Sequence, residues 1–93
     1  MLPEFEWDED KAAINFITHG VAFPFAVAVF LDPDCVVFDS SRREDGEERL
    51  KAVGRVGRRL LSVVFTLRDG RRRIISARRA NRPEERRYAD SQV

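Results

Sequence analysis

Three consecutive runs in the second half of the chain decide most of what it can become. Arg49 to Val56 alternates in character, with Leu50, Ala52, Gly54 and Val56 on one side and Arg49, Lys51, Val53 and Arg55 on the other. Leu60 to Leu67 places Leu61, Val63, Phe65 and Leu67 on one face, and Arg71 to Arg79 centres on Ile74 and Ile75. A period of two is the signature of strands with one buried face. Gly57-Arg58 and Asp69-Gly70 stand between the runs as tight-turn dipeptides, so the three strands form an antiparallel meander.

The flanks read as helices. Phe5-Glu6-Trp7-Asp8 is a short opening strand, after which Asp8 caps a helix over about 9–19 that stops at Gly20. Ala12, Ala13, Phe16 and Ile17 supply its apolar stripe. Val21 to Leu31 carries Pro24 in a first-turn position and is read as a second helix ended by Asp32-Pro33, although Val27 and Val29 also suit a buried strand. Cys35 to Phe38 has strand character, and Asp39 to Glu48 is a polar loop. Asn81, with Pro83 in the first turn and Glu84 at the capping-box position, opens a last helix running to about Ala89. The order is strand, two helices, three to four antiparallel strands, helix. That is an α+β class built on a twisted sheet, a single domain over residues 1–93.

Charge is segregated along this order. Residues 1–46 hold three basic and ten acidic side chains, whereas residues 47–93 hold fourteen basic and six acidic ones. Fifteen of the seventeen cations are Arg, whose planar fork grips phosphate in a way Lys cannot. The alternation sends Arg49, Lys51 and Arg55 to one sheet face. The last strand adds Arg71 and Arg73, or Arg72 and Arg78, with Arg79 at its far end. Strands lie about 4.8 Å apart, so these groups converge on one patch suited to a polyanion such as RNA. The same arginines also have ion-pair partners available in Glu47, Glu48, Glu84 and Glu85.

His19, the single histidine, falls at the end of the first helix, where the dipole favours its protonated form. Lys11, Asn15 and His19 follow at i, i+4 and i+8 on one polar stripe. An imidazole beside cations can move a proton or stabilise a phosphorane-like transition state, or it can simply cap the helix. Glu48, at the head of the arginine-bearing strand, is suited to proton handling or to orienting a neighbour. Tyr88 is a candidate for stacking on a base, and equally for packing.

Other classes are excluded. The longest apolar run, Val21 to Leu31, is too short to span a membrane, and no secretory leader is evident. Cys35 stands alone, so no internal disulfide and no Cys-cluster zinc site exist, which suits the cytoplasm. No phosphate loop, dinucleotide motif, Ser-based triad or metal cluster is present, so no cofactor and no metal are expected.

The chain resembles the BrnT toxin family. The resemblance is carried by Phe5-Glu6-Trp7-Asp8, Lys11, Asn15, His19-Gly20-Val21, Phe30-Leu31-Asp32-Pro33, Gly46-Glu47-Glu48-Arg49, Gly54-Arg55 and Ile74-Ile75-Ser76-Ala77-Arg78-Arg79-Ala80. It implies a RelE-like fold. It also implies a metal-independent endoribonuclease toxin of the mRNA-interferase type, which blocks translation and arrests growth. Its neutralising partner would be a BrnA antitoxin through which the complex binds operator DNA. Lys11, His19, Glu48, Arg49, Arg55, Arg78 and Arg79 are the active-site candidates it carries over. Lys51, Arg71, Arg73 and Tyr88 remain candidates for holding RNA. Pro24-Phe25 and Asn81 depart from the family pattern. A non-catalytic RNA- or protein-binding module using the same basic face is the rival expectation.

Overall fold

The meander expected from the alternating runs forms the centre of the sheet. A computed structural model describes residues 4–41 and 48–92. Gly46 and Glu47, and with them most of the expected polar loop, lie outside the described residues. In chain order the elements are β1 (Phe5–Glu6), α1 (Glu9–His19), α2 (Phe23–Ala26) continued by a 3-10 helix (Val27–Leu31), β2 (Val36–Asp39), β3 (Leu50–Val56), β4 (Arg59–Arg68), β5 (Arg71–Arg79) and α3 (Arg82–Asp90).

The sheet differs from expectation in size and direction. It has five strands in the order β1-β5-β4-β3-β2 and is mixed. Phe5 and Glu6 pair in parallel with Arg72 and Arg73, and every other pairing is antiparallel. A two-residue parallel strand is joined to its partner by most of the chain, so no turn signal announces it. Asp69 (φ 53°) and Gly70 (φ 77°) both adopt positive φ, the requirement of a type I′ hairpin turn.

The second helix is also corrected. Only Phe23–Ala26 is α-helical, and the chain then tightens into the 3-10 turn, where β-branched Val27 and Val29 are buried. Gly54 makes this packing possible. A Cβ there would sit 2.8 Å from the Val29 carbonyl oxygen and 3.0 Å from its Cβ, so the 3-10 segment can lie directly on β3.

The core fills the back of the sheet. Phe23, Ala26, Val27 and Val29 pack against Ala52, Leu61, Val63, Phe65, Ile74 and Ala77. Trp7 meets Phe23 edge-on, and Phe30 meets Phe65 edge-on with centroids 5.1 Å apart. Each fully buried large apolar side chain contributes roughly 1.5–3 kcal/mol. On the front of the sheet, Lys51, Ser62 and Arg78 face α3, and Glu84 and Tyr88, one turn apart, are its buried residues.

The first helix lies along the outer edge of β5, beyond the end of β1. Its bounds and its Asp8 and Gly20 caps are as expected. Its orientation is not. Of the expected stripe, Ala12 is half-buried while Ala13, Phe16 and Ile17 are exposed, and the one buried residue is Asn15. The reason is a polar demand. Past β1 the edge of β5 has unpaired backbone groups, and the Asn15 amide satisfies them by accepting from the Ala77 N–H and donating to the Ala77 carbonyl.

Candidate active site

The expected alternation along β5 is broken by a bulge. Phe65 faces Ile74 and Val64 faces Ser76, so Ile75 is an extra residue without a partner. The parity resets there. Arg73, paired with Thr66, and Arg78, paired with Ser62, therefore share the front face with Lys51 and Arg55, although a strict period of two separates them. Arg72 and Arg79 face the back. The adjacent Arg78 and Arg79 thus point to opposite sides of the sheet.

The front face is organised around one carboxylate. Glu84 accepts from Arg78 Nη1 at 2.8 Å and Nη2 at 2.9 Å, from Lys51 Nζ at 2.7 Å, from Ser62 Oγ at 3.1 Å and from the Asn81 N–H at 2.9 Å. Asn81 Oδ1 accepts from the Glu84 N–H, which completes the capping box. Burial by itself would raise the Glu84 carboxyl. The bonds from Arg78, Lys51 and the Asn81 backbone outweigh it and hold the group at about 2. Three strands and a helix are clamped at one point, and the two cations are fixed in place. Arg78 Nη1 also donates to the Arg79 carbonyl at 3.1 Å.

A second polar group lies one turn further along α3. The Tyr88 hydroxyl donates to Asp32 Oδ2 at 2.7 Å, and the same oxygen accepts from the Arg55 N–H at 2.7 Å. The Arg55 guanidinium lies over the Tyr88 ring, 5.7 Å from its centroid. Tyr88 is buried, so its ring is not offered to a base. Burial raises the Asp32 carboxyl, and the bonds from the Arg55 and Asp34 backbones outweigh it and lower it. The hydrogen bond to Asp32, more than burial, pushes the Tyr88 phenol up.

The remaining candidates sit elsewhere. Arg73 pairs with Glu6 at 2.8 Å, while Arg71 and Arg79 are exposed. Glu48 is exposed, and its carbonyl accepts from Thr66 Oγ1. The Arg49 N–H donates to Ser41 Oγ. Lys11 and His19 lie one turn either side of Asn15 on the same stripe of α1 but are themselves exposed, and together with Ile14 and Ile75 they line a cavity of about 210 Å³ at the β5 edge. No arginine lines that cavity. The cations therefore occupy several stations rather than one patch. The link between stations is the Asn15–Ala77 contact, which brings the Lys11–His19 stripe against β5 immediately before Arg78 and Arg79.

Three positions that organise the site were not legible as such in the sequence. Asn15 read as a member of a polar stripe rather than as the anchor of α1. Asp32 read as a helix stop and as part of the family resemblance, not as a partner of Tyr88, and Ser62 carried no signal, since its contact depends on β4 facing α3. Among the described residues no three His, Cys, Asp or Glu side chains gather as a metal site, and no single helix is long and apolar enough to cross a membrane.

This arrangement can be set beside known proteins. A family model described as the ribonuclease toxin BrnT of type II toxin–antitoxin systems matches residues 7–84. The chain belongs to the BrnT family. The match starts at Trp7, spans α1 and the whole sheet from β2 to β5, and ends on Glu84, the hub of the front face. Membership makes the chain a ribonuclease toxin, with RNA as substrate and an antitoxin protein as partner. No curated protein matches the sequence. Within the BrnT frame, the Glu84 clamp and the Lys11–His19 stripe are the two polar features that α3 and α1 bring to the sheet.

Proposed function

We propose that this BrnT-family chain is a metal-independent endoribonuclease of RelE-like architecture that acts in the cytoplasm, cuts messenger RNA, blocks translation and is neutralised by a BrnA-like antitoxin. In-line attack of a ribose 2′-hydroxyl on the adjacent phosphate needs a base, cations around the pentavalent phosphate, and an acid for the leaving 5′-oxygen. His19 takes the proton-transfer role and Lys11 supports it electrostatically. Arg49, Arg55, Arg78 and Arg79 supply positive charge to the phosphate path. Arg78 does so as a fixed charge held by Glu84, and Glu48 is the other proton-handling or orienting group. Arg71, Arg73 and Lys51 extend the basic track for the RNA backbone.

The observation that carries this reading is the docking of α1. Through its two bonds to Ala77, Asn15 sets the only imidazole of the chain beside the strand that bears Arg78 and Arg79. The expected products are a 2′,3′-cyclic phosphate and a 5′-hydroxyl. The test is cleavage of RNA by the purified chain in EDTA, with end-group analysis. Cleavage with those ends supports the reading. Abolition by the chelator contradicts metal independence. RNA binding without cleavage, weakening steeply with salt, favours the rival binding module.

A further inference from the structure

The apolar side of α1 faces away from the protein it belongs to. Ile17 is 83% exposed, Ile14 62% and Phe16 55%. At 100° per residue, Ala13 and Ile17 lie opposite the buried Asn15, and Ile14 lies on the flank that borders the Lys11–His19 cavity. Phe16 lies on the other flank, where it lines a groove of about 390 Å³ together with Phe25, Val56, Arg58 and Arg59. Phe25 is also exposed, at 43%. A helix needed only to close the β5 edge would carry polar residues at positions 14 and 17. A run of large apolar groups on the surface marks a protein interface.

We infer that the outward face of α1, Ile14, Phe16 and Ile17 with the adjoining Phe25–Arg58–Arg59 groove, is the seat of the antitoxin, whose docking segment carries apolar anchors flanked by acidic side chains. The inference rests on the toxin reading above for the partner's existence and on the surface for its chemistry. Arg58 and Arg59 line the groove together with Phe16, Phe25 and Val56, so the complement is apolar and acidic. RNA is the poorer fit, because a phosphodiester gains nothing from exposed isoleucines. Position matters as well. Ile14 also lines the cavity of Lys11 and His19, so a segment lying across this face covers the approach to the proposed proton-transfer group. Neutralisation then follows from occlusion.

The experiment compares the full chain with Phe16→Glu/Ile17→Glu and Arg58→Glu/Arg59→Glu, all outside the Lys11–His19 cavity, each titrated with the purified cognate antitoxin, with thermal unfolding as a check on folding. The expected result is antitoxin affinity at least tenfold weaker in both variants, with unchanged melting. The variants should also still arrest growth when the antitoxin is co-expressed. Unchanged affinity overturns the inference. So does a wild-type dimer that Phe16→Glu/Ile17→Glu converts to monomer, which assigns the face to a second copy. Loss of RNA binding with antitoxin affinity intact overturns it too, and assigns the face to RNA. A wild type that binds antitoxin but cuts no RNA contradicts the ribonuclease reading alone, and the variant affinities still decide the docking face.

Discussion

α1 and α3 each press one polar side chain against the sheet, and the consequences are opposite. On α3 the side chain is a carboxylate, and Glu84 satisfies Arg78, Lys51 and Ser62 from β5, β3 and β4 at once. On α1 it is an amide, and Asn15 spends its capacity on backbone groups of Ala77 and Val21. Glu84 therefore consumes the charges around it. Asn15 consumes none, and the Lys11 and His19 side chains on either side of it have no hydrogen-bonded or ion-paired partner among the described residues. A cation tied to a buried carboxylate stabilises the fold, whereas an unengaged imidazole at an open edge is available for chemistry. The comparison separates cations that also hold the molecule together, Arg78 and Lys51, from the Lys11 and His19 side chains at the open α1 edge.

The largest effect that tests this division is on stability. Glu84→Ala strands Arg78 and Lys51 and removes half of the capping box. The expected loss is about 3–5 kcal/mol, read as a lower denaturation midpoint. A loss below about 1 kcal/mol would place the clamp among ordinary surface pairs. Acid titration gives the next largest effect. Glu84 is held at about 2 against an ordinary 4.5, so the folded-state value is depressed. Its contribution is complete above pH 4.5 and is lost as pH falls from there towards 2. Wild type should lose roughly 3 kcal/mol of stability through this group across that window, and Glu84→Gln should lack that component of the acid transition.

Asn15→Ala should cost about 1–3 kcal/mol by leaving the Ala77 groups unpaired at the buried edge. It should also reduce RNA cleavage by more than the folded fraction falls, because α1 loses its register on β5. A proportional fall would sever α1 from the chemistry. The smallest effect belongs to the outward side of the same helix. Ile17→Gln should change stability by no more than about 0.5 kcal/mol, since the side chain is already in water. A large loss would mean that α1 packs by its apolar face after all.

The legible parts of this molecule were the local ones. Alternation plus Gly57-Arg58 and Asp69-Gly70 defined β3, β4 and β5 nearly to the residue, and Asp8, Gly20 and Asn81 marked the helix ends, because each signal lies within a few positions of what it specifies. What escaped was set at long range. The parallel pairing of Phe5 with Arg72 leaves no trace near either residue. The Ile75 bulge changes which arginines share a face, and nothing in Arg71 to Arg79 distinguishes it from a regular strand. Glu84 was visible as a cap and as an ion-pair partner, but its hub role requires three strands to arrive beneath it. The inversion of α1 had the same cause. Its apolar residues satisfied a helix pattern, while the β5 edge demanded the amide.

The division between clamp and active edge comes down to His19. The decisive measurement pairs chemical denaturation with RNA cleavage for His19→Gln and wild type, side by side. The predicted result is an unchanged denaturation midpoint with cleavage reduced about 10²–10⁴-fold, the range a positioned proton-transfer group supplies. Full cleavage by a folded His19→Gln chain would contradict it and move the chemistry off the α1 edge.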